Sequence, residues 1–251
     1  MSFPTRWKSA FYTAAAAFAW CFGDPFSSVE APWMLAVSLG LMTFTVYMPI
    51  RKSPWSYLPG LACFAIAFSQ TMFPDMLTRL LTLLAASACC FLYMGYYPGF
   101  LNPLPKAHSL SRLLILKNVS IALAWTLATI FIVTPFPPIG WAIHRFLFVF
   151  GLSLAADLRD IKRDEGLGIT TVASLIGHEK TKWLAAVIVF TSSLTLLTLD
   201  EPFSAGLLWA SLASFICGVI VLCLRQSIPE QRFGPLIDGL MVFTAVGTML
   251  F

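Results

Sequence analysis

Nine apolar segments separated by short polar connections make up most of this sequence and restrict what it can fold into. They fall at about 10–22, 31–50, 57–73, 76–97, 113–133, 139–156, 183–199, 203–224 and 235–251. A run of roughly 20 apolar residues is the length at which a helix crosses the hydrocarbon core of a bilayer. Because lipid offers the backbone no hydrogen-bond partners, each such run is expected to be helical. Only 11% of the 251 residues are charged and 58% are hydrophobic, against about a quarter charged in an ordinary soluble domain. The expected fold class is therefore all-α: a polytopic membrane protein of nine transmembrane helices. It forms one domain over residues 1–251, with a charged cytoplasmic loop at about 157–182.

The charges between the segments alternate in sign. Arg6, Lys8, Arg51, Lys52, Lys106, Arg112, Arg159, Lys162, Arg163, Lys180, Lys182, Arg225 and Arg232 fall in connections on one side of the expected bundle. Asp24, Glu30, Asp75, Asp200 and Glu201 fall on the other, where Arg79 is the exception. Positive residues stay in the cytoplasm, which predicts a cytoplasmic N-terminus and a C-terminus on the opposite side. The formal net charge of +4 thus reports topology and does not point to nucleic acid. Six cysteines without a C-x-x-C pair read as small buried side chains rather than a disulfide or metal framework. The run after Lys8 lacks a processing site, so no cleavable signal peptide is expected.

The densest charge lies at Asp157-Leu-Arg-Asp160-Ile-Lys-Arg-Asp164-Glu165-Gly166-Leu-Gly168. On a helix, Asp157, Asp160 and Asp164 fall within about 60° of one another, and Arg159, Lys162 and Arg163 point the other way. Three carboxylates on one stripe repel, and a divalent cation would relieve that repulsion. Oxygen ligands of this kind suit Mg²⁺, which commonly binds one or two carboxylates together with substrate phosphates. Lys117 and Asn118 open the fifth segment and Asp238 lies just inside the ninth. Ionisable groups near membrane depth usually face the bundle interior.

Carboxylates ringed by Lys106, Arg112 and Lys117 suit a diphosphate, with the metal bridging carboxylate and phosphate oxygens. An apolar interior beneath them suits a hydrocarbon tail. This combination points to Mg²⁺-dependent ionisation of an isoprenyl diphosphate. Phosphate-binding loops, dinucleotide fingerprints and serine or cysteine hydrolase signatures are absent from the sequence.

The pattern Asp157-x-x-Asp160-x-x-x-Asp164-x-x-x-Gly168-x-x-Thr171, continuing through Ala173-Ser-Leu-Ile-Gly177, resembles the second aspartate-rich motif of the UbiA-type intramembrane prenyltransferases. The resemblance implies nine membrane helices with a cytoplasm-facing site. There Asp157, Asp160 and Asp164 bind Mg²⁺ and a prenyl diphosphate, and an isoprenyl group passes to a hydrophobic acceptor. It implies diphosphate contacts from Lys106 and Lys117, and the same region offers Arg112 and Asn118. The sequence departs from the family at the end of the second segment. Where the family carries a first aspartate-rich motif, this chain reads Tyr47-Met-Pro-Ile-Arg51, with no carboxylate. Tyr47 and Arg51 are then substrate-binding candidates, Arg51 standing in for one metal as a fixed positive charge. Two other classes stay open: a lipid-binding or transport protein of the same fold, and a structural or assembly role. The acceptor, the donor chain length and the oligomeric state are not fixed by these patterns.

Overall fold

The computed structural model describes residues 3–27, 32–47, 76–94, 115–166, 170–199 and 204–250, which are almost entirely helical. Helix α1 spans Phe3–Phe22, α2 Pro32–Tyr47 and α3 Met76–Met94. Helix α4, Leu116–Thr126, continues as a π-helical stretch through Leu127–Phe131. Helix α5 is Ile139–Gly166, α6 the short Val172–Ile176, and α7 His178–Thr195, ending in a 3₁₀ turn. Helices α8, Ala205–Leu222, and α9, Glu230–Leu250, follow.

Among the described residues, four helices are long and apolar enough to cross a membrane: Ile139–Ile161, His178–Thr198, Ala205–Leu222 and Arg232–Leu250. The protein is thus a multi-pass membrane protein, but four rather than nine of its described helices meet that standard. Helix α2 is described over 16 residues, about 24 Å at 1.5 Å per residue. Polar Arg6 and Lys8 dilute α1. The expected third span, at about 57–73, lies outside the described residues.

The segment expected as a charged loop at 157–182 is mostly helix. Helix α5 runs 28 residues, about 42 Å, so it crosses the core and carries Asp157, Asp160 and Asp164 on its final turns. Beyond it, Thr171 caps α6 through a reciprocal capping box. Its hydroxyl accepts from the Ser174 amide, and the Ser174 hydroxyl accepts from the Thr171 amide. Gly177 then turns the chain into α7 at φ 83°, a conformation costly for any residue with a Cβ.

The helices neighbour one another in the series α3, α4, α5, α7, α8, α9, α1, α2, so α1 and α9 lie side by side although they are far apart in sequence. A Ser9 contact to Asp238 near the start of α9 and the approach of Gly23 to Met249 near its end make α1 and α9 parallel. Small residues allow the close packing that holds helices together in lipid. A Cβ on Gly151 would lie 2.6 Å from Val189 Cγ2 and 3.0 Å from the Ala185 carbonyl oxygen, so α5 and α7 meet with no room between them. The main core joins Ala16, Ala17 and Trp20 of α1 to Ala122 and Trp125 of α4 and Phe148, Leu152 and Ala155 of α5. Trp20 meets both Trp125 and Phe148 edge to face.

Arg79, the exception to the charge pattern, is buried on α3. Its Nη1 donates to the Val133 carbonyl at 2.9 Å and to the Ile132 carbonyl. It therefore satisfies the carbonyls that the end of α4 leaves open and sits at the negative end of that helix. Charge-assisted hydrogen bonds contribute about 1.5–3 kcal/mol each. Arg79→Met is expected to lower the thermal midpoint by roughly 5–10 °C, measured by circular dichroism in detergent. An unchanged midpoint would exclude this capping role.

Candidate functional site

Two polar clusters interrupt the apolar interior, one toward each end of α5. The first lies where α4 begins and α5 nears its end. Lys117 Nζ is 2.6 Å from Asp157 Oδ1. Asn118 Nδ2 donates to Asp157 Oδ2 at 3.0 Å and to Ser153 Oγ at 2.9 Å. Asp157 and Asn118 are both buried. A carboxylate removed from water needs a nearby cation and satisfied oxygens, and this cluster supplies both. Asn118 Oδ1 is buried and accepts no hydrogen bond. Next to Asp157 it offers a second hard oxygen, the type of donor Mg²⁺ takes.

The other aspartates do not join this cluster. Asp160 is gripped by its neighbour Arg159, with Nε to Oδ1 at 3.0 Å and Nη2 to Oδ2 at 2.6 Å. Arg159 therefore does not point away from the carboxylates, as the helical wheel predicts. A guanidinium on a long stem bends back across the 100° between adjacent residues to make a bidentate pair. Asp164 is buried further along. Among the described residues, no three histidine, cysteine, aspartate or glutamate side chains converge closely enough to hold a metal ion. Asp157, Asp160 and Asp164 thus share a helix face without forming a three-carboxylate centre. Asp238, on the first turns of α9, accepts a hydrogen bond from Ser9 of α1 and faces Arg159, joining three helices at this end.

Tyr47 is the last residue of α2, and its side chain lies outside the described residues. Arg51, Lys106 and Arg112 lie outside them altogether. Ser153 is a member of the cluster that the sequence reading does not single out. Its position one helical turn before Asp157 is the available signal, since residues four apart share a face.

The second cluster is likewise absent from the sequence reading. Asp24, in the connection after α1, accepts from the Phe26 amide at 2.9 Å and from Trp141 Nε1 at 3.3 Å. Arg145 lies with its guanidinium carbon 3.9 Å from the Trp20 ring centroid, a cation–π contact. His144 Nε2 pairs with Ser214 Oγ at 3.0 Å. The adjacent His144-Arg145 within an apolar segment is the signal that points to it. Burial pushes the Asp24 carboxyl up to about 6, partly offset by the Phe26 amide, Arg145 and Trp141. An unfolded aspartate titrates near 3.9, so the folded protein holds this proton more tightly. The stability this group contributes is full below about pH 4 and is lost as pH rises through about 6. The thermal midpoint should rise on going from pH 7 to pH 4 by an increment that Asp24→Asn abolishes. The increment corresponds to about 2 kcal/mol, and identical pH dependence in the two proteins would refute the assignment.

An apolar groove of about 490 Å³ lies between α8 and α9, lined by Trp209, Gly239, Val242, Phe243, Val246 and Gly247, with Leu250 at its end.

No family model and no curated protein matches the chain. Its structure, however, superposes over its whole length on a UbiA homolog from Archaeoglobus fulgidus, with a TM-score of 0.62, 14% identity and 100% of both chains covered. The chain has the fold of a UbiA homolog. A UbiA homolog from Archaeoglobus fulgidus bound to GPP and Mg²⁺ matches at a TM-score of 0.60 and 12% identity, and one bound to Cd²⁺ at 0.59 and 14%. In both, 99% of this chain and 97% of the other are covered. At such identity the agreement concerns the UbiA-like fold, and any chemistry must be argued from this chain's own residues.

Proposed function

We propose that this protein is a membrane-embedded prenyltransferase. It binds a prenyl diphosphate at the Lys117–Asn118–Asp157 cluster, on the cytoplasmic side, and transfers the isoprenyl group to a hydrophobic acceptor. The observation that carries this reading is the cluster itself: a buried carboxylate, an ammonium and an unsatisfied amide oxygen at one end of a UbiA-like bundle. Lys117 is a described cation positioned to neutralise the negative charge of a departing diphosphate, and Arg159 stands two residues beyond Asp157 on α5. Asp157 and the Asn118 amide oxygen are the donors that would hold a Mg²⁺ ion entering with the diphosphate. Such an ion supplies further neutralisation of the leaving group. Asp160 and Asp164 belong to the same end of α5, and Tyr47, Arg51, Lys106 and Arg112 remain candidates for the diphosphate's outer contacts.

The separation of Asp160 from Asp157 favours a second reading, in which the same site binds a prenyl diphosphate or related lipid phosphate without turning it over. The test is turnover of a labelled C15 to C20 prenyl diphosphate by the purified protein in detergent, with diphosphate release as the readout. Saturable binding with release on adding an acceptor supports the transferase. Saturable binding without release under any acceptor supports the second reading, and absence of binding removes both.

A further inference from the structure

We infer that the groove between α8 and α9 holds one acyl chain of a membrane lipid, drawn from the leaflet at the end of the bundle remote from Asp157.

The groove exists because the two helices meet at separate levels and small residues leave the space beside those contacts open. Around the second half of α8, Cys217 Sγ approaches the Leu240 carbonyl oxygen at 3.9 Å. Nearer the start of α8, Trp209 lies over Gly247, where any Cβ would overlap its indole ring. A Cβ on Gly239, by contrast, meets none of the described residues within 4 Å, so the missing side chain there is open space. The rings of Trp209 and Phe243, with centroids 5.2 Å apart, line the half toward the end of α9.

The surroundings decide what fills this space. Both walls belong to helices long and apolar enough to cross a membrane, and Leu208, Leu212, Val246 and Leu250 beside the groove are exposed. It therefore opens onto hydrocarbon. An apolar crevice left empty forfeits the dispersion contacts of its lining, and without polar partners it does not hold water. Length then selects the occupant. Gly239 and Leu250, the lining residues furthest apart on α9, are separated by about 16 Å at 1.5 Å per residue. That is about half of the roughly 30 Å hydrocarbon core. One chain of one leaflet matches it, whereas a spanning helix from a second copy would need contact through the whole core.

The direction of the chain follows from the ends of the helices. Met249 of α9 lies against Gly23, and the adjoining Asp24 accepts a bond from Trp141 near the start of α5. Leu250 is thus at the end of the bundle away from Asp157, and Gly239 is deeper. Trp209, one turn into α8, occupies the position that interfacial tryptophans favour near lipid headgroups. The carbonyl end of the chain lies toward Trp209 and Leu250, and the methyl end toward Gly239.

The test uses the full chain in phosphatidylcholine vesicles doped with a phosphatidylcholine that carries a photoreactive diazirine on one acyl chain, and labelled residues are mapped by mass spectrometry. The exposed stripe of α7 formed by Trp183, Val187 and Leu194 is the reference for passing contact with the bilayer. With the diazirine near the methyl end, residues 239–243 are expected to be labelled at least about fivefold more than that stripe, a preference of about 1 kcal/mol. With it near the carbonyl, the excess should move to residues 246–250. Gly239→Leu, which fills the open space, and Val246→Trp, which blocks the rim, should each reduce groove labelling to the level of α7. Circular dichroism identifies the folded variants, and either one suffices for the comparison. Groove labelling no greater than that of α7, or undiminished in a folded variant, overturns the proposal. A dimer by light scattering whose crosslinks join the grooves of two copies also overturns it, in favour of a protein occupant.

Discussion

Asp157→Asn is expected to reduce prenyl diphosphate turnover by about 10²- to 10³-fold while the protein remains folded, the size of effect typical when one preorganised charge partner is lost from a reacting centre. The substitution is nearly isosteric, and its amide oxygen can still accept a bond from Lys117 or Asn118, so the core beneath the site should hold. What disappears is the negative charge. That charge fixes the ammonium in the free protein and offers a hard ligand to a cation that enters with substrate. Initial rates of diphosphate release, with circular dichroism on the same samples, separate this outcome from unfolding. Wild-type rates in a folded Asp157→Asn protein would rule out a role for the cluster in transfer. Asp160→Asn is the informative comparison. Its carboxylate is already engaged by Arg159, so a smaller loss than that of Asp157→Asn is expected.

Gly151→Leu is expected to carry the largest cost in stability, about 3 kcal/mol or more. The first side-chain carbon alone would lie 2.6 Å from Val189 Cγ2 and 3.0 Å from the Ala185 carbonyl oxygen. A side chain can rotate away, but a helix backbone cannot, so α5 and α7 must part along their contact. For a chain of this size the thermal midpoint should fall by roughly 6–12 °C. Gly166→Leu serves as the control, because a Cβ there meets none of the described residues within 4 Å. Equal midpoints for the two variants would show that α5 and α7 are not packed as described. Gly151 also lies fewer than two turns before Asp157, so any Gly151→Leu protein that survives should bind diphosphate poorly through displacement of the carboxylate.

Much of this arrangement is legible in the amino-acid sequence, and the parts that are not have physical causes. The 3.6-residue period is enough to place Asp157 on an inward face, and the apolar flanks of Lys117 and Asn118 mark them as interior groups. Their mutual contact across 39 and 40 residues of sequence follows from α4 and α5 being consecutive neighbours. The partner of Asp160 cannot be read in the same way. Helical wheels report where a Cβ points, and Arg159 has enough reach to return to its neighbour's carboxylate. The charge alternation correctly isolates Arg79 as anomalous but contains no hint that two carbonyls at the end of α4 await it, since backbone acceptors leave no mark in composition. His144 and Arg145 escape notice because the segment's average hydropathy absorbs them. Once α5 is seen to pack against Trp20, Asp24 and Ser214, they form a second polar centre.

The parallel contact of α1 with α9 bears on how the protein is made. Ser9 and Asp238, and Gly23 and Met249, are separated by more than 220 residues of chain, so α1 emerges from the ribosome long before its partner exists. At about 5–20 residues per second, it waits roughly 10–50 s with the face later covered by α9 open to lipid or to a chaperone. Ala16 and Ala17, buried in the finished core, suit that interval, because methyl groups are tolerated by lipid until the rest of the bundle arrives. Closure of the bundle, and with it the link from Asp238 toward Arg159, becomes an event late in synthesis rather than of early insertion.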